Sequence, residues 1–111
     1  MKYILTVLLI LFKLLPAQQE RLYTICQTEY SPQMNTIKVK VPNWLKTHQV
    51  MEQLRLVLTW PDQPLPQKPT RIYVFKETDR EGSTSTNGCL FLPGRGFLWD
   101  LKNWHPDSIK F

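Results

Sequence analysis

The chain is short of the residues from which catalytic and metal centres are most often built. Its 111 residues hold two histidines, His48 and His105, and two cysteines, Cys26 and Cys89. There is no His-x-x-x-His, no His-Glu-x-x-His and no Cys-x-x-Cys. A zinc site and a thioredoxin-like redox pair are therefore not expected. Ser83 to Thr86 do not form Gly-x-Ser-x-Gly, and no Gly-Lys-Ser/Thr follows Gly82 or Gly88. That leaves out a nucleophile elbow and a phosphate-cradling loop. Glu77, Asp79 and Glu81 read as a solvated loop, since calcium wants more oxygens in a tighter pattern. No catalytic residue, metal ligand or cofactor is assigned. Glycine is scarce too, four against nine prolines, which points to extended segments with stiff corners. Hydrophobic residues at 42% and charged residues at 21% fit one folded domain.

The longest apolar run, Tyr3 to Phe12, is too short for a helix that must cross a membrane with about 20 apolar residues. It follows Met1-Lys2 and precedes Lys13, Leu14-Leu15-Pro16-Ala17 and the polar Gln18-Gln19-Glu20-Arg21. A basic start, a short apolar core and a small residue describe a secretory signal peptide. Residues 1–17 are read as signal peptide or N-terminal anchor, and 18–111 as one domain. An uncleaved anchor and a buried first helix remain as alternatives. Cleavage would take Lys2 and Lys13 away. Twelve basic residues then face nine acidic ones, so the net charge drops from +5 to +3. The expected location is secreted, periplasmic or extracellular. In that setting Cys26 and Cys89 are a candidate disulfide, with two buried free thiols as the alternative.

Along the expected domain, Arg21–Tyr30 is rich in β-branched and aromatic residues and predicts a strand. Thr36 to Val41 alternates strictly, with Ile37, Val39 and Val41 on one face and Lys38 and Lys40 on the other. Asn43–Gln53 is the one helical candidate. Leu54–Trp60 alternates again and predicts a strand. A proline-rich connector follows over 61–69; its Pro66–Arg71 stretch could suit polyproline II recognition but reads as a stiff link. Thr70–Lys76, apolar on both faces, suits a central strand covered on both sides. Asn87-Gly88 predicts a type I′ hairpin turn, Pro93–Gly96 a further turn, and Phe97–Leu101 a last strand. About six short strands and no βαβ alternation predict a mainly β fold, a small antiparallel β-sandwich.

Asp62-Gln63-Pro64-Leu65-Pro66, Arg71-Ile72-Tyr73-Val74-Phe75 and Thr84-Ser85-Thr86-Asn87-Gly88-Cys89-Leu90-Phe91-Leu92 stand in one order. Over residues 56–92 this resembles the transthyretin-like, carboxypeptidase-regulatory-like β-sandwich family. Gln63 replaces the usual glycine, and Leu90 stands where phenylalanine is expected. The resemblance implies a sandwich used for adhesion, folding assistance or substrate docking. The family's enzymes use a C-terminal Tyr-Arg-Gly-Ser or two Tyr and two His around iron. The end Asp107–Phe111 lacks the former, and no matching arrangement of the latter exists, so neither activity carries over.

The candidate partner-binding residues are Trp44, Trp104, Lys38 and Lys40. Trp60 and Trp99 lie on apolar alternating faces and are expected inside. Trp44 and Trp104 stand beside polar residues, where an indole can anchor a protein or stack on a sugar. The lysine face, with Arg55 near in chain order, suits an acidic partner. A net charge of +3 is too modest for nucleic acid, which asks for a clustered stripe. The expected function is an exported, non-catalytic binding or accessory module with a protein or carbohydrate partner. The alternative is a membrane-tethered accessory subunit that keeps its N-terminal helix. A third reading, an enzyme built around His48 or His105, requires one of them to meet a carboxylate or serine in a pocket.

Overall fold

The computed structural model describes residues 20–80, 82 and 84–107. The leader expected over 1–17, with any cleavage or anchoring, lies outside them. The elements are β1 (Thr24–Tyr30), β2 (Asn35–Val41), α1 (Thr47–Thr59), β3 (Thr70–Lys76), β4 (Gly88–Leu92) and β5 (Gly96–Asp100). The five strands form one sheet in chain order. β1–β2, β3–β4 and β4–β5 pair antiparallel, but β2–β3 pair in parallel. A parallel pair needs a long crossover, and α1 supplies it. The mainly β expectation holds. The described residues do not form two stacked antiparallel sheets, however; they form one mixed, open sheet with a helix on one face.

The strand expected over Leu54–Trp60 does not form. Leu54, Leu56, Leu58 and Trp60 mimic a strand, yet 54–59 continue α1. Val50, Gln53, Leu54, Val57 and Leu58 are the buried residues, spaced at i, i+3, i+4, i+7 and i+8. That is the stripe a helix turns to a core. Gln49 Oε1 accepts the Lys46 N–H at 2.8 Å where the helix begins. At the other end Pro61 has no N–H to continue the ladder. The N–H groups of Asp62 and Gln63 donate to the Thr59 carbonyl at 2.8 and 3.1 Å, so the last turn keeps partners.

The stripe packs on Ile37, Val39 and Val41 of β2, Ile72 and Val74 of β3, and Cys89 and Phe91 of β4. Parallel register sets Ile37 beside Ile72 and Val39 beside Val74. Phe97 and Trp99 of β5 extend this face, stacked at 4.9 Å, with the Arg55 guanidinium 5.2 Å from the Trp99 ring. Trp60 and Trp99 are both half-buried.

Asn87-Gly88 does not turn a hairpin. Thr84–Asn87 are not strand, and Gly88 opens β4 opposite Tyr73. Its glycine is needed for close approach: at φ +157 a Cβ would lie 1.9 Å from the Ile72 carbonyl oxygen. The β4–β5 hairpin turns at Pro93-Gly94 as expected. Arg95 N–H donates to Leu92 O at 2.9 Å and Gly94 has φ +78, a type II arrangement with proline and glycine in their favoured places.

The cysteines are both free, against the disulfide expectation. Cys26 is on β1 and Cys89 on β4, with β2 and β3 between. Three strand spacings amount to about 14 Å, against the roughly 4.4–6.8 Å between Cα atoms that a disulfide spans.

Candidate functional site

The face away from α1 carries the opposite residue of each alternating pair. Its concave part is a groove of about 440 Å³ lined by β1, β2, β3 and the loop after β3. Lys38 and Lys40 come from β2, Tyr73 and Phe75 from β3, and the register sets Lys38 beside Tyr73 and Lys40 beside Phe75. Such neighbours lie about 4.8 Å apart, and each pair is roughly 6.6 Å from the next along the strand. The floor is therefore a two-rung ladder, each rung one ammonium and one aromatic ring.

β1 shapes the near wall. Pairing steps from Ile25↔Val39 to Gln27↔Lys38, so Cys26 is the extra residue of a bulge. Cys26 and Gln27 both line the groove. Arg80, Gly82, Thr84 and Ser85 make the far wall. Ser85 fixes it: Oγ donates to the Val74 carbonyl at 2.8 Å and accepts the Asn87 N–H at 3.1 Å.

The groove is electrically one-sided. Lys38, Lys40 and Arg80 line it, and no carboxylate does among the described residues. Lys40 Nζ donates only to a backbone carbonyl, that of Asp79, at 3.4 Å. Asp79 spends its carboxylate on the Lys76 N–H, at 2.8 Å. Lys38 has no hydrogen bond or ion pair among the described residues. Arg71 adds a cation 5.8 Å from the Tyr73 ring. Glu29 shares this face and accepts from Gln27 Nε2 at 2.8 Å. Half-buried lysines at i and i+2 without a paired acid repel one another, and an anion relieves that.

On the covered face burial shifts two ionisable groups. Burial pushes the Cys89 thiol up to about 12, against the opposing charge of Arg71. Burial likewise raises the Tyr23 phenol, opposed by Arg21.

Of the residues picked from the sequence, Lys38 and Lys40 meet in the groove, and Cys26 joins them. Trp44 stands apart, 43% exposed between β2 and α1. Trp104 is not at the surface: it is 5% exposed, and its indole N–H donates to the Leu45 carbonyl at 2.8 Å. His48 is exposed on α1 and His105 is exposed in the tail after β5. Among the described residues no three His, Cys, Asp or Glu gather as metal ligands, and no helix is long and apolar enough to cross a membrane.

Sequence reasoning missed Gln27, Tyr73, Phe75, Arg80, Thr84 and Ser85. One signal was there: Tyr73 and Phe75 alternate with Ile72 and Val74, so they share a face. That the face is open, and that lysines adjoin it, depends on the parallel pairing. No family model, curated protein or solved structure gave a significant match to this chain.

Proposed function

We propose that this chain is a non-catalytic binding module, exported by its leader, that receives an acidic glycan or protein on the open face of its sheet. One observation carries the reading: Lys38 and Lys40, unopposed by any lining carboxylate among the described residues, stand beside Tyr73 and Phe75. Charge attracts such a partner over distance and the rings supply contact area once it arrives. The double variant Lys38→Glu/Lys40→Glu tests the reading against Lys46→Glu/Lys102→Glu, two exposed sites off the groove. Binding to polygalacturonate and polyglutamate falls at least tenfold in the first and stays within twofold in the second. Equal losses in both would reduce the reading to net charge.

The tethered-subunit reading has support of its own. Gln53, 4% exposed, accepts the Leu22 N–H at 2.7 Å and donates to the Glu20 carbonyl at 2.9 Å. The stretch ahead of β1 is thereby pinned to α1, a firm base for an uncleaved N-terminal segment. N-terminal sequencing separates the two: Gln18 first supports release, Met1 retained supports tethering.

A further inference from the structure

The groove's ladder selects among acidic partners. Resting on the acidic-partner reading, we propose that its ligand is a short acidic oligosaccharide whose carboxylates are borne on the sugar rings. Each rung places a lysine and an aromatic residue side by side on adjacent strands, whose backbones lie about 4.8 Å apart. A matching ligand unit must hold its negative charge close beside a flat, apolar face. In a uronic acid the carboxyl carbon is bonded directly to the ring, and the C–H face of that ring packs on an aromatic side chain. In a nucleotide the ribose separates phosphate from base. In an acidic peptide there is a carboxylate but no ring.

The remaining lining points the same way. Gln27 and Thr84 present an amide and a hydroxyl, which suit a ligand dense in hydroxyl groups. The volume, about 440 Å³, lies in the range of small-ligand sites, about 300–1,000 Å³, so it accepts a few sugar rings and no folded domain. Two rungs make the recognised unit two successive acidic sugars. Lys38 with Tyr73 takes one and Lys40 with Phe75 the next. Arg80 lies on the facing wall.

Cys26 supplies a built-in reporter, because it lines the groove while Cys89 is buried. The purified protein is titrated with tetramers of galacturonate and mannuronate, a methyl-esterified galacturonate tetramer, tetraglutamate and a thymidine tetranucleotide. Calorimetry gives affinity, and iodoacetamide followed by intact mass gives the Cys26 alkylation rate. At least one uronate tetramer binds and slows alkylation fivefold or more at saturation. The ester and tetraglutamate bind at least tenfold more weakly. Tyr73→Leu and Phe75→Leu, which keep apolar bulk without a ring, each weaken the uronate at least tenfold and leave tetraglutamate within twofold. Equal binding of tetraglutamate and uronate removes the sugar proposal and leaves the acidic-partner reading standing. Tighter binding of the tetranucleotide replaces the sugar with nucleic acid. Uronate binding that leaves Cys26 unprotected moves the site elsewhere and ends this proposal. No binding by any of them sinks both.

Discussion

The two faces of this sheet are made by the same strands and end in opposite physics. On β2, Ile37, Val39 and Val41 turn under α1 while Lys38 and Lys40 turn away from it. On β3, Ile72 and Val74 are buried while Tyr73 and Phe75 line a groove. The covered face excludes water with aliphatic side chains, so it resists change of volume and tolerates no charge. The open face keeps charge and aromatic area in reach of solvent, so it tolerates substitution and can bind. Each face is best tested by a change that the other would absorb.

The cysteines give the widest contrast. Cys26 lies on the open face and Cys89, 4% exposed, on the covered one. With the Cys89 thiol pushed up to about 12, its thiolate fraction at pH 8 is about one in ten thousand, before any steric barrier. In native protein at pH 8, Cys26 is therefore alkylated at least a thousandfold faster than Cys89, and mass spectrometry of digested peptides reads both. Comparable rates would mean that α1 does not seal its face. The same burial works against the fold in alkali. The raised thiol favours the folded state below its unfolded value, near 9.0, and that advantage is lost as pH rises toward about 12.

Leu54 and Lys38 give the next contrast, in stability. Leu54 has no exposed surface and sits at the centre of the helical stripe. Leu54→Ala destabilises by about 2–5 kcal/mol, transfer and cavity terms together. Lys38→Ala stays within about 0.5 kcal/mol of the parent, as a surface substitution does. Urea unfolding measures both, and similar losses would contradict the division of the faces. Gly88→Ala is more local. Its Cβ would meet the Ile72 carbonyl at 1.9 Å, so β4 must move off β3, at about 3 kcal/mol. Amide exchange should quicken along β4 and β5 and leave β1 and β2 protected.

β1 and β3 were legible from their β-branched and aromatic content. Side-chain alternation made β2 legible, because a half-buried strand writes its burial in period two. The same rule misread Leu54–Thr59. There Leu54, Leu56 and Leu58 alternate by chance, while the buried stripe also uses Gln53 and Val57, the first of them polar. Gln53 breaks an apolar pattern because its amide binds backbone 31 and 33 residues away, which no local pattern shows. The helix expected over Asn43–Gln53 is present but runs on to Thr59; cutting it short hid the crossover and the parallel pairing, and with it the ladder of Lys38–Tyr73 and Lys40–Phe75. Those residues are 35 apart in the chain and adjacent only through α1's crossover. Lys38 and Lys40 could be picked out as a basic face, but the rings beside them could not. Trp104 failed for a related reason: its polar neighbours face out while its indole reaches back to Leu45, a contact over 59 residues.

The smallest effect belongs to the tail that closes one end of the covered face. Trp104 is buried there, and three residues on Asp107 meets Lys76 Nζ at 2.8 Å while its N–H donates to the Asn43 carbonyl at 2.8 Å. The hydrogen bond from Lys76 is the main reason the Asp107 carboxyl titrates below its ordinary value of 3.8, helped by the charge of Lys76 and a bond from Asn43. A carboxyl lowered in the fold stabilises it above the unfolded pKa, and the gain is lost as pH falls through the folded value. Asp107→Asn should therefore lower the Tm slightly at pH 7, and the gap between variant and parent should close below about pH 4. Since the pair is half-exposed, 0.5 M salt should narrow the gap at pH 7 as well. A gap that does not narrow as pH falls would show that Asp107 acts through shape and backbone contact rather than charge. In that case the tail would be held by Trp104 and the Asn43 carbonyl, and the ion pair would be a consequence of that packing.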